Sequence, residues 1–414
     1  MQSTSIGVSV LNLKSISLAI ILAMTGAVHA EQINRSENAT EFLESVFTGT
    51  EQYSNFYRME EIFPTNRVLK SGNPVQWPVG KSISLPDRYT FQGEERATQG
   101  LLTETETSAL LVIKDGQIRY ENYWLTGGED HHWMSMSVAK SLVSVLMGVA
   151  VSEGMIESVE DTASKYLPEL KGSAYEGVRL KDILQMSSGA RWSEDYSDEK
   201  SEVNRLLSAM TGQSSFLEFV GSMKNELKPG TFNRYNSADT LVLGLVLERV
   251  TGKTLAAYTQ EKLWGPLGAT DDAYWITDKA GHSMAFGGFN ATARDYARLG
   301  ELYRLGGKFN GKQIVPEKWV NASLTADAPH LVPGDRENGD SGMGYGYQWW
   351  LLEGGKHDYS AIGVYNQFIY VSPEHRTVIV KLSAPRNYGT TKENISLHED
   401  ETFELFRKIA ESMD

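Results

Sequence analysis

Trp133-Met134-Ser135-Met136-Ser137-Val138-Ala139-Lys140-Ser141-Leu142-Val143-Ser144-Val145-Leu146-Met147-Gly148-Val149-Ala150 is apolar on nearly every side once wound into a helix, and it carries a single lysine. A helix of this kind belongs in the middle of a domain. Ser137 and Lys140 are three positions apart, so they share one face, a turn from each other. A lysine held there away from water gives up its proton and serves as base for the serine hydroxyl, the working pair of serine acyl-transfer chemistry. The tetrapeptide by itself decides little, because S-x-x-K arises about once or twice by chance in a chain of this length. Ser197-Asp198-Glu199-Lys200 is such a match, in a charged stretch without an apolar face. Burial is what singles out Ser137.

Working outward, a β-hairpin is expected before this helix, from Ala109 to Lys114 and from Gln117 to Trp124 around an Asp115-Gly116 turn. After it the pattern turns helical with polar loops from Val159 to about Leu267. Helices are expected over Lys181–Met186, from Ser237 to Val250 and from Leu255 to Trp264. Ala291-Thr292-Ala293-Arg294-Asp295 caps a further helix that runs to Leu305. Gln367–Val371 and Thr377–Leu382 read as a second hairpin, and 397–412 as a closing amphipathic helix. Strands early, helices in the middle and strands late imply an α+β fold. Its central, mostly antiparallel sheet is built from both ends of the chain, flanked by helices and interrupted by a helical subdomain. The sheet part is expected over 96–155 and 270–414, the helical part over 156–269.

Residues 1–30 read as an export signal, with Lys14 closing a short basic region, an apolar stretch from Ile16 to Met24, and Val28-His29-Ala30 offering small residues for cleavage. That stretch is shorter than the ~20 residues a membrane span needs, so no anchor is expected after cleavage. A periplasmic or secreted location follows. Residues 31–95, punctuated by Pro64, Pro74, Pro78 and Pro86, read as an irregular extension wrapped on the main body. The chain has no cysteine, which excludes disulfides, thiolate metal sites and a cysteine nucleophile. The net charge of −14 is scattered, without a basic cluster for nucleic acid or an anionic membrane.

A serine–lysine pair needs a further proton carrier, and Tyr235-Asn236-Ser237 offers one at the entrance of a helix that Ser237 caps. The phenol acts as a base if cationic Lys140 lies beside it and lowers its pKa; the plainer alternative is a buried core tyrosine. Ser360-Ala361-Ile362-Gly363-Val364 places a glycine at a strand edge, where backbone N–H groups approach a substrate closely. The amides of Ser137 and Val364 are the candidate oxyanion donors, against the alternative of an ordinary edge strand.

These three motifs, in this order, resemble those of the serine β-lactamase and penicillin-binding superfamily. Gly287-Gly288-Phe289-Asn290 through Gly300, and Gly344-Tyr345-Gly346-Tyr347-Gln348-Trp349-Trp350, resemble its class C-related branch. Within that branch, Ser137–Ser141, Ser187–Tyr196 and Ile362–Gln367 are similar to 6-aminohexanoate-dimer hydrolases and their carboxylesterase relatives. The likeness spans roughly residues 95–412 and implies a small-molecule ester or amide substrate, an acyl-enzyme on Ser137, and no metal or other cofactor. It also implies that Trp192 and Tyr196, with Ser237 and Gly363, border the substrate pocket, although Trp192–Tyr196 equally fits a packed loop.

Two departures matter. Ser237 stands where the motif usually has Asn, and Ala361 where it usually has Lys or His, a cation that would help hold the carboxylate of a β-lactam. The departures argue against a β-lactamase or D-Ala-D-Ala peptidase and leave uncharged or weakly charged esters and amides. A non-catalytic binding protein on the same fold is the alternative of another class. Gly281-His282-Ser283-Met284-Ala285 resembles the nucleophile elbow of α/β-hydrolases but lacks the preceding apolar strand and the second glycine. His131 and His132 are adjacent, so their side chains diverge, and both read as loop residues.

Overall fold

Eight consecutive residues from Thr107 to Lys114 are buried, as are all seven from Thr377 to Ser383, and such unbroken runs mark central strands covered on both faces. The computed structural model describes residues 34–196, 198, 200–354, 356–391, 394 and 398–414. The expected export signal and Ser197 lie outside the described residues.

Seven strands form the main sheet: β1 (Thr107–Lys114), β2 (Gln117–Tyr123), β3 (Gly344–Tyr345), β4 (Trp350–Leu351), β5 (Tyr359–Gly363), β6 (Gln367–Ser372) and β7 (Thr377–Ser383). Their order is β3-β4-β5-β6-β7-β1-β2, antiparallel at every step. The two ends of the chain meet where β7 pairs with β1, Ile379 opposite Val112. Asp115 and Gly116 both take positive φ between β1 and β2, the backbone a tight hairpin requires. The sheet is thus mixed with helices as expected, and drawn from both chain ends.

Side chains alternate between two cores. Leu111, Ile113, Ile369, Val378 and Val380 join the larger core with helices α1 (Ala139–Ser152), α2 (Ser237–Thr251) and α3 (Ala293–Arg304). Leu110, Val112, Phe368, Tyr370 and Ile379 face the closing helix α4 (Glu399–Glu411) through Phe403, Phe406 and Ile409. Gly300 lets α3 lie directly on the sheet, since a Cβ there would come within 2.6 Å of Val378 and 2.8 Å of Ile369. Residues 139–150 of α1 are all buried, and each fully buried Leu, Val or Met contributes about 1.5–3 kcal/mol. Asn236 caps α2 by accepting from the Ala238 N–H at 2.9 Å, and Gly252 ends it at φ 64°. The expected helix from Leu255 to Trp264 is α-helical only to Thr259 and then opens into a π turn, Gln260–Trp264.

The stretch expected to be irregular, 31–95, is more ordered than its prolines imply. It holds a helix over 34–45, a hairpin of Arg88–Phe91 with Glu94–Ala97, and a strand, Thr65–Val68, that pairs with Ala273–Ile276 in a second sheet. Phe42, Phe56 and Phe63 supply the apolar anchors, with ring pairs at 6.4 and 5.7 Å, so the prolines punctuate elements rather than prevent them. Among the described residues no helix is long and apolar enough to cross a membrane.

The segment is also tied in by a buried ion pair. Arg298 Nε donates to Asp295 Oδ1 at 2.6 Å with both side chains essentially inaccessible, and its Nη2 donates to the Val75 carbonyl at 2.6 Å. Asp295 in turn accepts from the Thr270 and Asp271 amides. Removing one member leaves the other charge buried and unpaired. Arg298→Ala is expected to lower unfolding stability by about 3–5 kcal/mol in urea titration; a loss below about 1 kcal/mol would contradict this reading.

Candidate functional site

Ser137 lies on a 3-10 turn, Met136–Val138, that leads directly into α1. Met136 before it sits at φ 46°, a strained backbone for a residue with a side chain. The turn leaves Ser137 partly exposed while Lys140, three residues on, is buried. Lys140 Nζ is 2.8 Å from Ser137 Oγ and 2.8 Å from the Phe286 carbonyl oxygen. Around it stand the rings of Tyr235, 4.8 Å from Nζ to the centroid, and Phe286 at 6.0 Å. Desolvation by these walls brings the Lys140 pKa down to about 7, against an opposing pull from the negative charge of Glu194.

Tyr235 stands at the mouth of α2, held beside the Asn236 cap with its ring stacked on Trp350 at 5.3 Å. Its phenol is hydrogen-bonded with the Ser137 side chain. The expectation that Lys140 would lower its pKa is corrected here. Burial, with the charge of Glu194 added, pushes the phenol well above its usual value, and the Ser137 hydrogen bond offsets only part of that. Lys140, its own pKa brought down to about 7, is only partly charged near neutral pH and does not offset that burial. The surroundings thus favour a protonated Tyr235 phenol over a phenolate.

The end of β5 closes the other side. A Cβ on Gly363 would lie 2.7 Å from the Ser135 carbonyl oxygen and 3.0 Å from the Ser137 nitrogen, so only glycine lets this strand edge come so near the turn. Val364 follows immediately, and both Ser137 and Val364 border the cavities of the site. Ala361 is buried in the strand and offers no charge.

Trp192, Tyr196 and Ser237 converge on one residue that sequence reasoning did not single out. Glu194 accepts from the Trp192 indole N–H, from the Tyr196 hydroxyl at 3.0 Å and from Ser237 Oγ at 2.9 Å. The serine that replaces the usual asparagine thus anchors a carboxylate. Glu194 lay within the quoted Ser187–Tyr196 phrase, but nothing local shows that its partners would come from both the loop and α2. Phe47 and Phe286, also missed, reach the site from the extension and from the 284–288 turn.

The rival Ser283 is not part of this constellation. It follows His282, whose Nδ1 is 2.8 Å from Glu248, and forms an isolated bridge with Thr277 instead of ending a strand. His131 and His132 diverge as expected, one ring 5.3 Å from Tyr57 and the other 5.4 Å from Tyr274.

Two cavities meet at Ser137. The outer cleft, about 950 Å³, is lined among others by Glu194, Tyr235, Asp340, Trp350 and Glu399. The inner pocket, about 60 Å³, is lined mainly by apolar side chains, including Met136, Met284 and Phe286.

The model of a protein family described as beta-lactamase matches residues 95–394. The 6-aminohexanoate-dimer hydrolase of Paenarthrobacter ureafaciens is 32% identical over 339 residues, covering 80% of this chain and 84% of that protein. Among solved structures, a Bacillus anthracis protein provisionally named a 6-aminohexanoate-dimer hydrolase superposes with a TM-score of 0.78 at 24% identity, covering 89% of this chain and 97% of that one. EstCE1, a hydrolase with promiscuous acyltransferase activity, gives 0.59 at 18% identity, covering 76% and 96%.

The Lys140 environment sets a pH dependence. The rate at which a fluorophosphonate labels Ser137 is expected to rise with pH through a midpoint near 7 and to level off once Lys140 is fully neutral. Glu194 favours the charged lysine, so Glu194→Gln is expected to move the midpoint to lower pH; an unmoved or raised midpoint would contradict the assignment.

Proposed function

The chain belongs to the beta-lactamase family, and from that premise we propose that it is an exported serine hydrolase acting on linear amide or ester bonds, of the 6-aminohexanoate-dimer hydrolase or carboxylesterase type. The observation that carries this reading is the 2.8 Å contact between Ser137 Oγ and a buried Lys140 amine whose pKa is brought down to about 7. A binding pocket has no use for that pair. Export rests on the signal-like pattern of residues 1–30, with the periplasm as destination.

Lys140 takes the Ser137 proton as Oγ attacks the substrate carbonyl. The amides of Ser137 and Val364 hold the negative oxygen of the tetrahedral intermediate. Tyr235, whose phenol is kept protonated by desolvation and by the charge of Glu194, gives its proton to the departing amine or alcohol and recovers one from the Lys140 ammonium. Water then attacks the acyl-enzyme, its proton passing to the same pair, and Ser137 is released. Every step uses groups within the site.

The walls support open-chain neutral or cationic substrates over β-lactams. Ala361 supplies no cation for a carboxylate. The outer cleft carries Glu194, Asp340, Glu353, Glu399 and Glu404, while its arginines are engaged, Arg234 with Glu226 and Arg407 with Asp358. Arg407 pairs with Glu404 as well, and an anionic substrate would still meet more carboxylates than cations along this cleft.

Intact mass after fluorophosphonate exposure tests the nucleophile: one adduct on the wild type and none on Ser137→Ala are expected. Hydrolysis of p-nitrophenyl esters and of a linear 6-aminohexanoate dimer should vanish in Ser137→Ala and Lys140→Ala, and fall about 10²–10⁴-fold in Tyr235→Phe. Full activity in Ser137→Ala would sink the proposal.

A further inference from the structure

The helix over 34–45 ends in a turn that delivers Phe47 to the nucleophile. Phe47 takes φ 63°, and its N–H donates to the Tyr365 hydroxyl at 3.0 Å. Its ring packs on Tyr196 at 4.3 Å and stacks on Tyr365 at 5.4 Å between centroids. Gly389, at φ 68°, leaves room for that ring, since any side chain there would collide with Phe47. Behind the turn, Gln52 Nε2 donates to the Ser45 carbonyl at 2.9 Å, and Arg386 bridges Glu51 to Glu106. Phe47 is therefore held by Tyr196, Tyr365 and the turn at Gly389 of the hydrolase body.

Its position has a consequence for the two cavities. Four residues border both of them: Ser137, Tyr196, Val364 and Phe47. Two of these, Ser137 and Val364, belong to the proposed reaction centre, and Phe47 with Tyr196 forms the partition. On the inner side Phe42, Leu43, Met136, Leu207, Met284 and Phe286 leave a chamber without a charged wall. About 10–15 Å³ of such space takes one water-sized group, so about 60 Å³ holds a chain of about four to six heavy atoms. The departing group and the hydrolytic water need the larger space of the outer cleft.

We propose that Phe47 is a specificity-determining residue, the partition that confines the acyl chain of an ester substrate to a short, unbranched, apolar group in the inner pocket. The inference rests on Ser137 being the nucleophile, and it assigns a role to the N-terminal extension: that segment is one wall of the acyl site. Removing the ring merges the chamber with the outer cleft, and enlarging it shortens the chamber. A change of one methylene in an apolar pocket alters discrimination by about 10–200-fold.

The test measures kcat/KM on p-nitrophenyl esters from acetate to octanoate for the wild type, Phe47→Ala and Phe47→Trp. The wild type is expected to lose at least about tenfold beyond hexanoate. Phe47→Ala should raise the octanoate-to-acetate ratio at least about tenfold, and Phe47→Trp should move the fall-off to shorter chains. If Phe47→Ala does not fold, the shift in Phe47→Trp decides. Unchanged chain-length profiles in folded variants whose Ser137 is still labelled by fluorophosphonate would overturn the partition. Absence of both labelling and hydrolysis in the folded wild type would instead overturn the hydrolase reading beneath it.

Discussion

The Lys140 amine lies between the Ser137 hydroxyl and the Phe286 carbonyl, in a helix whose residues 139–150 are all buried. Its stability and its chemistry both follow from that burial. A charged ammonium loses hydration there, and two oxygen partners with two aromatic faces make up only part of the loss. The pKa settles at about 7, where the amine spends much of its time as a base. The neighbouring elements set this balance. Helix α2 brings Tyr235, the 284–288 turn brings the Phe286 carbonyl and ring, and the Trp192–Tyr196 loop brings the one carboxylate that partly restores the charged form.

The second requirement is close approach of backbone to backbone. Gly363 brings the end of β5 onto the Ser135–Ser137 turn, and the turn that follows places Tyr365 and Asn366 both at positive φ. Such a turn needs support, and Gln367 gives it. Its Nε2 donates to the Tyr365 and Ser383 carbonyls at 2.9 and 2.6 Å, and its Oε1 accepts from the Trp133 indole at 3.1 Å. One buried amide thus links the strand preceding Ser137 to the turn carrying Val364. A fully satisfied polar network of this kind fixes a geometry that apolar packing alone leaves loose.

The extension adds a third layer. Phe56 packs against Trp133 at 5.9 Å and Tyr365 at 5.1 Å, so residues before the hydrolase body touch both sides of the reaction centre. Strand Thr65–Val68 and the Arg298–Val75 bond hold the same segment from the far end. The extension is part of the core, and its helix borders the apolar pocket rather than decorating the surface.

The sequence by itself determined the local features: the Ser137–Lys140 pairing on one face of a buried helix, the hairpins at 107–123 and 367–383, the capped helices α2 and α3, and a sheet drawn from both chain ends. Each depends on a period of two or 3.6 residues, a cap or a turn, and these are written within a few positions of one another. The Ser137, Tyr235 and Gly363 motifs were legible for the same reason, as short strings in a recognisable order. What only the tertiary structure decided involves partners far apart in the chain. The direction of the Tyr235 shift was not legible because it depends on desolvation and on Glu194, neither of which the Tyr235-Asn236-Ser237 string contains. Glu194 gathers Trp192, Tyr196 and Ser237, and Phe47 divides two cavities, because packing brings together segments that no local rule connects. Burial and charge act through space, so a residue's pKa and the shape of its pocket belong to the folded chain.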